Sequence, residues 1–91
     1  MTDAQAIARK VRECPGVAAL SGGPFGTVST YLPGDRLVGV AVREHEVEIA
    51  IVARGGRPLP ALAEEIRHAV AELTGERLVD IRIDDVDLEE S

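Results

Sequence analysis

The sequence predicts an α+β fold: a two-layer sandwich in which a small mixed sheet carries two helices on one face. Three observations lead there. Apolar residues recur at helical spacing in two segments, near the start and over residues 59–73. Three alternating runs joined by short turns form a three-strand antiparallel meander. The second helix lies between alternating runs over 47–53 and 78–83, so a right-handed crossover places this C-terminal strand parallel to another strand of the sheet. At 91 residues the chain is one domain, residues 1–91, with 87–91 a loose acidic end.

The first helix begins at Thr2 or Asp3, either of which can cap it, and turns Ala4, Ile7, Ala8, Val11 and Cys14 to one side. Pro15-Gly16 ends it, because proline disfavours a helical residue before it. Residues 17–20 are a short extended apolar piece. Ser21-Gly22-Gly23-Pro24-Phe25-Gly26 follows as a connector. This loop lacks the Lys-Ser or Lys-Thr of a phosphate cradle and leads into a strand, not a helix.

The first meander strand covers 27–32, with Val28, Thr30 and Leu32 on one side and Thr27, Ser29 and Tyr31 on the other. Pro33-Gly34-Asp35 is turn chemistry. The second strand covers 37–43. Its Leu37, Gly39, Ala41 face is small enough for something to approach closely. In the third, 47–53, Val47, Ile49, Ile51 and Ala53 form one face. The opposite face has a polar end and an apolar middle, which implies partial cover.

Gly55-Gly56 allows a corner, and Pro58 and Pro60 fit a first helical turn whose amides have no intrahelical partner. Leu59, Leu62, Ala63, Ile66, Val70 and Leu73 then make a core-facing stripe, and Gly75 stops the helix. In the last strand Val79, Ile81 and Ile83 oppose Asp80, Arg82 and Asp84, with Val86 and Leu88 continuing irregularly.

Composition narrows the functions. Sixteen acidic against ten basic residues give a net charge of −6, which opposes a general nucleic-acid binder and electrostatic docking on anionic lipid. One Phe, one Tyr and no Trp leave no stacking platform for bases. No stretch approaches a membrane helix, so no direct membrane insertion is expected, and a single cysteine excludes an intrachain disulfide. A cytoplasmic location suits these features.

Several residues carry two readings. Cys14 is a small buried hydrophobe or a reactive thiol, and nothing nearby supports the thiol beyond the helix's bases. His45 lies among Glu44, Glu46 and Glu48, a conceivable metal site, yet no second His or Cys is within reach. Arg54 and Arg57 beside a helix start could hold an anion, although Pro58 and Pro60 remove two amides. His68 has no nucleophile one turn away. The carboxylates from Asp84 onward lack a calcium-loop pattern. No catalytic, cofactor or metal residues are assigned. The candidate interaction surface is the outer sheet face: Thr27, Ser29, Tyr31, Glu48, Asp80 and Arg82.

Four segments resemble, in order, the bacterial alkaline-shock-protein family of envelope stress response proteins. They are Pro15-Gly16-Val17-Ala18-Ala19-Leu20-Ser21-Gly22-Gly23, Gly39-Val40-Ala41-Val42, Gly56-Arg57-Pro58-Leu59-Pro60-Ala61-Leu62-Ala63 and Leu73-Thr74-Gly75-Glu76-Arg77-Leu78-Val79-Asp80-Ile81-Arg82-Ile83-Asp84-Asp85-Val86. The chain is similar to a short, actinobacterial-type member. The resemblance implies a non-enzymatic cytoplasmic scaffold or adaptor of the envelope stress response. It acts by protein–protein contact, at the membrane through an anchored partner, with self-association into a homo-oligomer a further family trait. The alternative is a small divalent-metal or small-ligand binding module.

Overall fold

The computed structural model describes residues 2–23 and 26–88. Pro24 and Phe25 of the glycine loop, and 89–91 of the expected acidic end, lie outside the described residues. The chain is α+β, with elements in the order α1 (Asp3–Glu13), β1 (Val17–Leu20), β2 (Ser29–Leu32), β3 (Asp35–Val38), β4 (Val40–Val42), β5 (Glu46–Arg54), α2 (Leu59–Thr74) and β6 (Leu78–Asp87).

Thr2, not Asp3, caps α1, in a reciprocal capping box. Its hydroxyl accepts from the Gln5 N–H at 3.2 Å, and its own N–H donates to Gln5 Oε1 at 2.8 Å. Pro58 caps α2 without a side-chain bond, and Gly75 ends it at φ +60°. Arg77 folds back to donate to the carbonyls of Leu73 at 3.0 Å and Thr74 at 2.9 Å, placing a cation on the negative end of the helix.

Both helices pack on one face of β5. Val47, Ile49, Ile51 and Ala53 are fully buried there against Ile7, Ala8 and Val11 of α1 and Ile66 and Val70 of α2. Burial of each larger side chain contributes about 1.5–3 kcal/mol. Thr74 is a buried polar residue that the apolar stripe does not reveal. It sits one turn beyond Val70, and its hydroxyl donates to the Ala71 carbonyl at 3.4 Å.

The sheet is organised on β5. Strand β6 runs parallel along all of it, from Glu46↔Leu78 to Arg54↔Asp87, as the crossover predicts. Because β6 takes one edge throughout, β1 and β4 must share the other, both antiparallel. Strand β4 pairs with residues 47–49 and β1 with residues 51–53. The extended piece 17–20 is therefore a strand of the main sheet. The first meander strand leaves that sheet and forms a separate two-stranded hairpin with β3.

Gly39 makes this division. The alternating run 37–43 reads as one strand, but Gly39 adopts φ +97° and bends it. A Cβ there would lie 2.6 Å from Leu20 Cβ and 3.2 Å from the Ala50 carbonyl oxygen, so only glycine fits where β1 ends and β4 begins. The expected close approach to the small face is Val28, buried against Ala41 and Ala50 on the outer side of the sheet.

Strand β6 resolves its own irregularity with a bulge. Ile51 pairs with Ile83, but Val52 pairs with Asp85, leaving Asp84 as the extra residue. Alternation would turn Val86 outward; the bulge returns it to the core beside Ala53. The strand reaches Asp87, which takes the first residue of the expected loose end into the sheet.

Candidate functional site

The six residues expected to form an outer surface fall into two groups. Glu48, Asp80 and Arg82 come together on the face of β5 and β6 away from the helices, with Glu48 opposite Asp80 in register. Arg43 Nη1 lies 3.2 Å from Glu48 Oε1 and 3.2 Å from Glu46 Oε1. Arg82 Nη1 lies 3.7 Å from Glu48 Oε2, and its Nε is 3.6 Å from Asp84 Oδ1. Ser21 donates its hydroxyl to Asp84 Oδ2 at 2.8 Å. These charges serve one another and tie β1's end, β5 and β6 together.

Thr27, Ser29 and Tyr31 lie on the hairpin side. Tyr31 is 79 % exposed and pairs across the hairpin with Arg36, so both side chains share one hairpin face. Thr30, on the opposite side, donates its hydroxyl to the Val40 carbonyl at 2.7 Å and anchors the hairpin to β4.

The residues with two readings each meet a local neighbour. His45 Nε2 is 3.5 Å from Glu44 Oε1, with both side chains almost wholly exposed, while Glu46 and Glu48 turn to Arg43. Among the described residues no three His, Cys, Asp or Glu are grouped to hold a metal ion. Cys14 is buried, and its Sγ lies 3.6 Å from the Lys10 carbonyl oxygen. Burial pushes the thiol up from its ordinary range, with Glu65 and Glu13 adding to the shift, which disfavours the thiolate. Arg54 donates its Nε to the Pro15 carbonyl at 3.0 Å, securing the corner to the end of α1. His68 lies on the exposed side of α2, beside Lys10 and Glu72.

A further concavity lies elsewhere. A groove of about 640 Å³ runs between β1 and β3, lined by all four residues of each, with Arg12 from α1 and Arg54 from the end of β5. Strand β1 has only β5 as a strand neighbour, and β3 only β2, among the described residues. The bonds Arg54 N–H to the Gly16 carbonyl and Ser21 N–H to the Ala50 carbonyl flank the pairs Val17↔Ala53 and Leu20↔Ile51. These are therefore the wide pairs of the ladder, and the Leu20 N–H and C=O point away from β5. In the same way, the Gly39 N–H to Val28 carbonyl bond makes Ser29↔Val38 a wide pair and turns the Val38 backbone away from β2. At the groove's mouth the Arg36 N–H donates to Asp35 Oδ1 at 2.7 Å.

Sequence reasoning missed this groove. Arg12, Arg36 and Arg54 stand on three separate elements, and the bend that opens the space depends on Gly39. The signal available was an unassigned apolar run, 17–20, followed by glycines. No helix among the described residues is long and apolar enough to cross a membrane. Comparison with protein-family models, curated proteins and solved structures gave no match.

Proposed function

We propose that the chain is a non-enzymatic adaptor or scaffold acting through protein–protein contact, in the manner that its resemblance to the envelope stress response proteins implies. In this reading it works in the cytoplasm and reaches the membrane through an anchored partner. The observation that supports it is the groove between β1 and β3, where two strands each lack a second strand neighbour among the described residues. Exposed strand edges are a standard means of capturing another chain. The exposed Tyr31, on the same hairpin face as Arg36, adds an amphipathic contact of the kind common at interfaces.

The test is affinity recovery of the tagged chain from its native cells, followed by membrane fractionation with the recovered partner present and deleted. The expected result is a defined partner recovered in proportion to the chain, with membrane association that disappears on deletion of that partner. A chain that remains a lone monomer in every fraction overturns the reading.

A further inference from the structure

Building on the adaptor reading, we infer that the groove between β1 and β3 receives an extended acidic peptide, which adds as a strand to the open edge of β1 and sets carboxylates against Arg12, Arg36 and Arg54.

The backbone argues for an extended ligand. Leu20 on β1 and Val38 on β3 both turn main-chain groups away from the strand each pairs with, and both residues line the groove. An added strand satisfies such groups with its own amides and carbonyls, whereas a helix has none to spare. Each lining strand has four residues, a run of roughly 13 Å, which suits a short extended segment. The bend at Gly39 keeps β3 from continuing straight from β4 into the place beside β5 that β1 occupies.

The charge argues for an acidic one. The protein as a whole carries −6, yet this groove is edged by three guanidinium groups. Arg43, Arg67, Arg77 and Arg82 each have a carboxylate within 4 Å; Arg12 and Arg36, like Arg9 and Arg57 away from the groove, form no such ion pair among the described residues, and Arg54 turns its Nε to the Pro15 carbonyl. Asp35 is the one carboxylate in the lining among the described residues, and its Oδ1 accepts from the Arg36 N–H, which leaves three guanidinium groups against one carboxylate. Among the described residues the lining holds no aromatic ring to stack on a base. Arginine forks match carboxylates with paired hydrogen bonds, and alternate side chains of an added strand would fall on the same side.

The experiment is fluorescence anisotropy of the full chain with a labelled, end-capped peptide, Val-Glu-Val-Glu-Val-Glu-Val. Two controls accompany it: the same peptide with Lys for Glu, and the Glu peptide N-methylated at alternate backbone nitrogens. Saturable binding of the Glu peptide is expected, weakening as salt rises from about 50 to 300 mM. Both controls should bind at least about tenfold more weakly, as should the Arg12→Glu/Arg36→Glu variant toward the Glu peptide. These side chains are exposed, so the variant should keep its fold; Arg12→Gln/Arg36→Gln serves if it does not. Equal binding of the N-methylated or the Lys peptide overturns the proposal, as does no binding of the Glu peptide. A dimer in sedimentation that the double variant dissolves, without peptide binding, assigns the groove to a second copy and also overturns it. If the peptide fails while the chain still recovers its cellular partner, the groove assignment falls and the adaptor reading stands. If the peptide binds while no partner is recovered, only the adaptor reading falls.

Discussion

The two edges of β5 are built differently. One carries a single parallel partner over the whole strand, from Glu46 to Arg54. The other is divided between β4 and β1, with Ser21 and Gly39 bonding to Ala50 at the join. The continuous edge absorbs its sequence irregularity internally, through the Asp84 bulge. The divided edge needs a glycine at the join, sends the hairpin out of the sheet and leaves two short strands flanking an open space. A sheet can thus hold its core on one strand while a break along one edge creates a surface for function.

Disturbing the join should have the largest effect. Gly39→Val places a branched side chain at a positive φ and against Leu20 and the Ala50 carbonyl. Strain and overpacking together should cost about 4 kcal/mol, read by urea denaturation, with loss of native β signal in the hairpin. A stable variant with an unchanged midpoint would mean that the divided edge does not depend on this bend.

The continuous edge is tested by deleting Asp84. Removal of the extra residue leaves Ile83, Asp85 and Val86 in plain alternation, so Val86 keeps its place beside Ala53 and the loss is that of the contacts to Ser21 and Arg82, at about 2 kcal/mol. For a domain of this size that is roughly a 10 °C fall in Tm by calorimetry. A smaller loss than Gly39→Val is the expected order; the reverse order would make the parallel edge the more sensitive one.

Smaller effects belong to the side chains around these edges. Glu48→Ala removes the carboxylate shared by Arg43 and Arg82, both partly solvated, and should cost about 1 kcal/mol, less at high salt. Cys14, just before β1, should contribute a modest pH dependence. Its folded-state pKa is raised, so its stabilising effect is complete below the unfolded thiol's pKa and is lost as pH rises through the folded value. Native-state alkylation should be slow at pH 8 and become fast on unfolding; fast labelling of the folded chain would contradict its burial.

Much of the architecture was legible in the sequence because it rests on local periodicity. Ile7, Ala8 and Val11, then Leu62, Ile66 and Val70, repeat at helical spacing, and Val47, Ile49 and Ile51 alternate. Each pattern predicts its buried face, and the helix between two strands predicts the parallel pairing of β6. Pro15-Gly16 and Gly75 mark helix ends through backbone sterics alone. The capping choice was narrower: Thr2 and Asp3 are both competent, and the geometry of Gln5 selects Thr2.

The candidate site was much less legible. Residues 17–20 do not alternate, so nothing local tells a strand from a linker until β5 is present to pair with them. Gly39 sits inside a run that alternates on both sides, and its bend becomes necessary only where Leu20 and Ala50 converge. Asp84 looks like part of an acidic end until the register of β6 on β5 shows it as the extra residue.

The sequence by itself therefore determined the α+β class, the order of the elements and the faces that meet in the core, since helical and strand periods act over a few neighbouring residues. Only the tertiary structure decided which edge of β5 each strand took, that Arg43, Glu48 and Arg82 neutralise one another, and that Arg12, Arg36 and Arg54 gather around one groove. Those outcomes depend on register and on contacts between residues far apart in the chain, where a bend at one glycine redirects everything before it.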